Sequence, residues 1–405
     1  MRMARRLFHV LLPTLFVVGL CLQSPAAAIH ARARARPATP APPPAAAPTI
    51  GIDTEARRAI IVEVETGAVL LDKGADEHIP PASMSKMMTA YIVFGMLKSG
   101  RAKLTDVLPV SEEAWRLGGS KMFVPIGGQV SIDDLLHGMI IASGNDACLV
   151  LAQGLAGSEA AFAELMNKKA KEIGLKDSHF TNVTGLPDPD HWMTAADLAT
   201  LAIRTIIDFP QYYPMYSQEN FTFNNIKQGN RNTLLYKNFG ADGLKTGHTQ
   251  ESGYSLTASV ARGDRRIIMV LNDLPTMKAR TEESERLFEW AFRQFNDYRL
   301  FGSGETVENA PVWLGDAPRV PLTVSKDLVL TLPRNARKDM KVSVVYGAPI
   351  PAPIAKGETL GKIVVAMPQQ PPVEAPLVAA SAIARMGPIG RVATLAGYLV
   401  WGSWH

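Results

Sequence analysis

Ser83 and Lys86 stand three positions apart, so on a helix they share a face and the amine reaches the hydroxyl. A serine hydroxyl is a weak nucleophile at neutral pH, and a neighbouring amine activates it by taking its proton, provided that amine is uncharged. Burial and a second nearby cation both lower a lysine pKa toward neutrality. The surrounding stretch supplies the burial. After Pro80-Pro81, the residues Met84, Met87, Met88, Ala90, Tyr91, Ile92, Val93, Phe94, Met96 and Leu97 are apolar nearly all the way round a helix, the mark of a central, buried one. Ser83 falls in its first turn, where free backbone N–H groups and the helix dipole favour negative charge. Taken alone, Ser-x-x-Lys is common, and most instances are a cap beside a solvated lysine.

Two further stretches carry polar residues among apolar ones. Ile141 to Cys148 contains Ser143-Gly144-Asn145, whose bland reading is a loop that caps a helix. Asp242-Gly243-Leu244 leads into Lys245-Thr246-Gly247-His248-Thr249, and the polar segment before it holds Asn230-Arg231-Asn232. The strand-like runs Gly253–Ala261 and Arg266–Leu271, joined by Arg262-Gly263-Asp264, predict a hairpin. Arg280 is expected in the loop that follows, before helical spacing returns from Glu282 to Phe295. His179, Asp190 and His191 lack the spacing of a metal motif, so neither a metal nor a cofactor is assigned.

The elements that would position these groups are short. Ala59–Val64 and Ala68–Leu71 flank Glu65-Thr66-Gly67, a hairpin feeding into the Ser83 helix. Helical patterns cover parts of 111–155, then 159–173 and 194–208. Beyond Asp297, β-rich runs at Val307–Leu314, Leu328–Leu332, Met340–Val345 and Leu360–Val365 suggest a small β-sandwich.

A chain of 405 residues suggests two or three domains. Arg2, Arg5 and Arg6 precede an apolar run to Leu22, with small residues at 25–28, so 1–28 reads as a secretory signal peptide. Its removal takes three arginines and no acid, and the formal charge falls from +4 to +1, which offers no electrostatic case for a nucleic acid partner. Only Cys148 then remains, so an exported chain has no intrachain disulfide. Residues 29–48 are Ala-, Pro- and Arg-rich, a linker composition. The expected layout is a catalytic domain over 49–297, a β domain over 298–367, a linker over 368–387 and an amphipathic helix over 388–405. That last segment ends in Trp401 and Trp404 and is short of the roughly 20 residues a span needs, which suits a helix lying in a membrane interface. Packing on the protein itself is the competing reading.

Taken in order, Ser83-x-x-Lys86, Ser143-Gly144-Asn145 and Lys245-Thr246-Gly247 match the motif set of penicillin-binding proteins and serine β-lactamases. The contexts Pro-Ala-Ser-Met-Ser-Lys-Met-Met-Thr, Ser-Gly-Asn-Asp-Ala-Cys and Asp-Gly-Leu-Lys-Thr-Gly-His-Thr resemble the D-alanyl-D-alanine carboxypeptidases of the low-molecular-mass penicillin-binding group. The resemblance implies an α/β peptidase domain built on a central antiparallel sheet, followed by the small all-β domain. It also implies an exported enzyme on the periplasmic face of the inner membrane that trims peptidoglycan stem peptides and is acylated by β-lactams. By resemblance, Ser83 is the nucleophile, Lys86 the proton acceptor and Ser143 the proton shuttle. Asn145 would hold the substrate amide and the Lys86 amine, and Lys245 would supply the field that keeps Lys86 neutral. The backbone of Ser83 and His248 would form the oxyanion hole, while Thr246, Gly247, Thr249, Arg280 and Arg231 would line the end that receives the peptide carboxylate. Glu164-Leu165-Met166-Asn167 superficially resembles a deacylation motif of class A β-lactamases, but its spacing favours a helix face. A D,D-endopeptidase acting on cross-links is the alternative with the same site, with a β-lactamase behind it. A non-catalytic wall-binding scaffold is the alternative from another class.

Overall fold

The computed structural model describes residues 51–367, 372–390 and 392. The expected leader (1–28), the linker over 29–48 and most of the expected tail helix lie outside the described residues. Among the described residues no single helix is long and apolar enough to cross a membrane.

The chain opens with a hairpin of β1 (Arg58–Glu63) and β2 (Val69–Lys73), turned at Gly67 with φ 70°. A 3-10 turn, Ala82–Ser85, runs straight into α1 (Lys86–Lys98). Between β3 (Val107–Pro109) and β4 (Gln129–Ser131) lies the short α2 (Glu112–Arg116). The helices α3 (Ile132–Ile140), α4 (Asn145–Ala156), α5 (Glu159–Ile173) and α6 (Ala195–Asp208) follow. The starts of α2, α3, α5 and α6 are fixed by Ser111, Ser131, Ser158 and Thr194, each accepting a hydrogen bond from the N–H three residues on, which satisfies a donor the helix leaves free.

A small hairpin of β5 (Asn220–Phe223) and β6 (Ile226–Gly229) precedes β7 (Ala241–Thr249), β8 (Gly253–Arg262), β9 (Arg265–Leu274) and α7 (Met277–Gln294). The main sheet is antiparallel in the order β2-β1-β9-β8-β7. Alternation along its strands separates two cores. Ile60, Val62, Ile268 and Val270 join α1, α3, α4 and α6 on one face, while Ala59, Ile61, Ile267, Met269 and Leu271 meet Leu287, Phe288 and Ala291 of α7 on the other. Helix α1 lies inside the first core with Met87, Met88, Ala90, Val93 and Phe94 all buried, which explains why it has no polar face.

The remainder is all β: β10 (Phe295–Phe301), β11 (Thr306–Trp313), β12 (Arg319–Thr323), β13 (Leu328–Pro333), β14 (Lys341–Tyr346), β15 (Ile350–Pro351), β16 (Thr359–Ala366) and β17 (Val373–Ala379). A six-stranded sheet in the order β14-β16-β17-β12-β11-β15 faces the β10-β13 pair over a core that includes Val320, Leu322, Leu332, Ile363 and Leu377. Two expectations are corrected here. Of the linker expected over 368–387, the described part, 372–387, is not a linker: β17 lies between β16 and β12, with Leu377 and Ala379 buried and Pro376 turned outward on the opposite face. The border expected at 297 falls inside β10, because α7 ends at Gln294 and the chain enters the strand at once.

A buried polar cluster joins the two parts. Arg265 donates to Glu63 Oε2 through Nη2 (2.5 Å) and Nε (3.1 Å), and to the Phe295 carbonyl through Nη1 (2.7 Å). Thr331 Oγ1 donates to Asp297 Oδ1 (2.7 Å) and bonds the Thr66 hydroxyl. Glu63 is fully buried, and among the described residues its Oε1 has no hydrogen-bond partner. Burial outweighs Arg265 and pushes the Glu63 carboxyl up to about 7.

Candidate active site

The Ser83 turn is built under constraint. Ala82, immediately before the serine, takes φ 48°, a region that side-chain-bearing residues seldom occupy and that surrounding structure must enforce. The enforcement comes from a neighbouring loop. Gly185, at φ 77°, lies so close that a Cβ there would sit 1.8 Å from the Ala82 carbonyl oxygen. Asn182 Oδ1 accepts from the N–H groups of Thr184 (3.1 Å) and Gly185 (2.8 Å), fixing that loop. Beneath the turn, Ser85 Oγ bonds His191 Nε2 at 2.8 Å. The His191 imidazole is held down to about 4 by burial, so this link stays neutral. Ser83 is the partly exposed side chain of a turn whose neighbours Ala82, Met84 and Ser85 are buried.

Lys86 begins α1 and is 1% exposed. Its Nζ donates to Ser83 Oγ (2.8 Å) and to the Thr184 carbonyl (2.8 Å). Burial lowers its pKa to about 8; the Arg231 guanidinium lowers it further, against Cys148 and Asp146. The amine can therefore shed its proton near neutrality while keeping its place.

Ser143 precedes α4 with φ 58° and is almost fully buried. Lys245 Nζ donates to Ser143 Oγ (3.1 Å) across 102 residues of sequence. Burial and the Lys86 amine push Lys245 well below the ordinary lysine range. Lys245 and Lys86 thus face each other as like charges, and the Arg231 guanidinium is a further positive neighbour of both. Asn145 differs from expectation. Its Nδ2 donates to the Gly118 carbonyl at 2.8 Å, and no bond to Lys86 occurs among the described residues. The reason is the 118–121 loop, which passes so close that a Cβ on Gly119 would lie 2.7 Å from that nitrogen.

Strand β7 is an edge of the sheet, and its Gly247 packs on the turn, where a Cβ would come 3.0 Å from the Pro81 carbonyl. His248 is exposed and stacks on Tyr254 with ring centroids 3.9 Å apart. Between β7, the Ser83 turn and the start of α7 opens a cleft of about 380 Å³, lined among others by Ser83, Ser120, Ser143, Arg231, Thr246, Gly247, His248, Tyr254 and Arg280. A second cavity, of about 240 Å³, lies at the far end of α1 between Met96, Leu165 and Phe209, away from these groups.

Arg280 lies in the first turn of α7 rather than in a loop, 4% exposed. Its guanidinium sits over the Tyr254 ring (6.0 Å) and donates to the Arg231 carbonyl (3.2 Å), and burial lowers its pKa to about 10. Arg231 in turn donates to Ser120 Oγ at 2.6 Å. Thr249 is not brought to the cleft: its hydroxyl bonds Ser252 Oγ at 3.0 Å within the β7–β8 turn. Ser120, Thr184 and Tyr254 escaped the sequence reading. Tyr254 is brought in by register, as the β8 residue that pairs with His248. Glu164 is an exposed residue of α5. Among the described residues no group of three or more His, Cys, Asp or Glu side chains could hold a metal ion.

Comparison with known proteins finds relatives for both parts of the chain. The D-alanyl-D-alanine carboxypeptidase family matches residues 42–276, and the C-terminal domain of penicillin-binding protein 5 matches residues 295–385. The chain is similar to the D-alanyl-D-alanine carboxypeptidase DacA of Escherichia coli K12, 39% identical over 317 residues that make up 76% of this chain and 79% of that protein. It is more distantly similar to a D-alanyl-D-alanine endopeptidase of Pseudomonas aeruginosa, 29% identical over 62% of this chain and 81% of that one. Among solved structures, penicillin binding protein 5 of Haemophilus influenzae superposes with a TM-score of 0.77 at 36% identity, covering 84% of this chain and all of that one. With both domains matched, the chain belongs to the D-alanyl-D-alanine carboxypeptidase family of penicillin-binding serine peptidases.

Proposed function

We infer that the protein is a serine-type D-alanyl-D-alanine carboxypeptidase that removes the terminal D-alanine from peptidoglycan stem peptides through an acyl-enzyme on Ser83. The observation that carries this is a buried amine, lowered to about 8, placed 2.8 Å from a partly exposed serine that opens into a cleft. Ser83 Oγ attacks the carbonyl of the penultimate residue while Lys86 Nζ takes its proton. Backbone N–H groups of Ser83 and His248 receive the developing oxyanion, a contribution felt mainly in the transition state. Ser143, bonded to Lys245, passes a proton to the departing D-alanine nitrogen, and water then releases the shortened peptide. Arg280 and Arg231, with Thr246 beside them in the cleft lining, suit the substrate's free carboxylate. Two cations closing that end favour a small terminal residue over the bulk of a cross-link, and so a carboxypeptidase over an endopeptidase.

Product analysis tests the reading: a pentapeptide stem should yield free D-alanine and a tetrapeptide, and cross-linked dimers should be cut far more slowly. Ser83→Ala should abolish both turnover and the covalent penicillin adduct, and an adduct on that variant would exclude Ser83 as the nucleophile. For location, a periplasmic, membrane-associated enzyme is the coarse reading that the family supports. Attachment through 388–405 as an interfacial helix is the finer proposal, motivated by its tryptophans and its short apolar run. Deleting 388–405 should free an active enzyme into the soluble fraction, and retention in the membrane pellet would place the anchor elsewhere.

A further inference from the structure

The residue that follows the Ser-x-Asn motif does more than continue a helix. Asp146 is 1% exposed in the first turn of α4, yet its carboxylate reaches out to another segment. Oδ1 accepts from Met122 N (2.9 Å), and Oδ2 accepts from Phe123 N (2.9 Å) and Val124 N (3.2 Å). Three successive N–H groups around one acceptor form a concave anion site of the kind that backbone "nests" make. The middle residue, Phe123, sits at φ 70° with half its surface exposed, a conformation costly for an aromatic residue unless something holds it. Just upstream, the Ser120 carbonyl accepts from Asn145 N (2.7 Å), and Ser120 Oγ accepts from Arg231 (2.6 Å), whose own carbonyl receives Arg280.

We propose that Asp146 is a positioning residue: its carboxylate holds the 118–124 loop as one wall of the cleft and, through Ser120, sets where Arg231 and Arg280 meet the substrate carboxylate. The inference deepens the reading above by naming what places its carboxylate-binding end. Asp146 touches neither substrate nor reacting atoms. Its charge also reaches Lys86, which shares its surroundings with Cys148, Arg231 and Lys245.

The test uses the full chain with Asp146→Asn, Phe123→Gly and the double variant. An amide cannot accept from all three N–H groups, so in Asp146→Asn amide exchange at Met122, Phe123 and Val124 should speed up about tenfold or more. The preference for a free-acid peptide over its C-terminal amide should fall by a similar factor, mainly through KM. Glycine adopts φ 70° unaided, so the double variant should recover part of that preference. Removing a negative neighbour should also move the acid limb of penicillin acylation to lower pH. A merely loosened site would admit water and move the limb upward. Unchanged exchange at the three amides, equal losses on acid and amide without rescue, or an upward limb would each overturn the proposal. So would failure of both Asp146→Asn and the double variant to fold, which would make Asp146 purely structural. If the unaltered enzyme showed no acid-over-amide preference, the assignment of Arg231 and Arg280 would fail, while amide exchange would still decide whether Asp146 holds the loop.

Discussion

In the proposed mechanism the Ser83–Lys86 pair works only where the amine is free of its proton. With Lys86 lowered to about 8, chiefly by burial, the neutral fraction should fall about tenfold per pH unit below that value. The rate constant for penicillin acylation should therefore be level at alkaline pH and decline as pH drops through about 8. A stopped-flow profile that stayed flat into mildly acidic pH would remove Lys86 as the base. Arg280 gives a second prediction at this scale. Losing one charge-assisted hydrogen bond should cost roughly 1.5–3 kcal/mol on free-acid peptides and little on their amides, and equal losses in steady-state kinetics would make the residue structural. The types and order of Ser83, Lys86, Ser143 and Lys245 were legible because three motifs coincide. The actual partner of Asn145 was not, since it depends on Gly118, which lies 27 residues away and is brought in by tertiary packing. Nor was the turn of helix that buries Arg280. Its Thr276 cap, accepting from Ala279 N at 2.9 Å, stands before residues without an apolar period.

Among elements, the loop over 181–186 bears most directly on catalysis, because it supplies the Thr184 carbonyl to Lys86 and presses on the Ala82 peptide. Gly185→Ala would place a methyl inside that carbonyl and demand φ 77° of an alanine. The turn and the loop would have to part. The expected loss is about 1–3 kcal/mol, visible as a lower Tm, together with slower penicillin acylation. Normal Tm and normal acylation would show that the contact does not set the Ser83 turn. Strands β1, β2, β8 and β9 could be read as apolar runs joined by the turn signals Glu65-Thr66-Gly67 and Arg262-Gly263-Asp264. Strands β12 and β17 could not, because Pro321 and Pro376 interrupt the pattern. A proline whose nitrogen needs no ladder partner is tolerated within a strand, and only the register shows that.

At the scale of the molecule, the peptidase and β parts meet through Glu63, Arg265, Asp297 and Thr331. The Glu63 carboxyl is raised from 4.5 to about 7 by burial, so between those values the folded protein keeps a proton that the unfolded chain has released. The stability this group lends is fully present below about 4.5 and is lost as pH rises through about 7. Melting curves across that window should show Glu63→Gln flattening the decline, and parallel curves for variant and parent would remove the junction as its source. Strand β17 bears on how far the enzyme can travel. The bridges Ile354–Ile383 and Gly315–Arg385 pin the chain almost to Pro388, leaving about 10 Å of backbone for the three residues after Arg385. A tail that gripped a surface would then hold the β domain directly against it. The height at which the cleft meets its substrate would be set by the length of a solid strut, not by the slack of a tether.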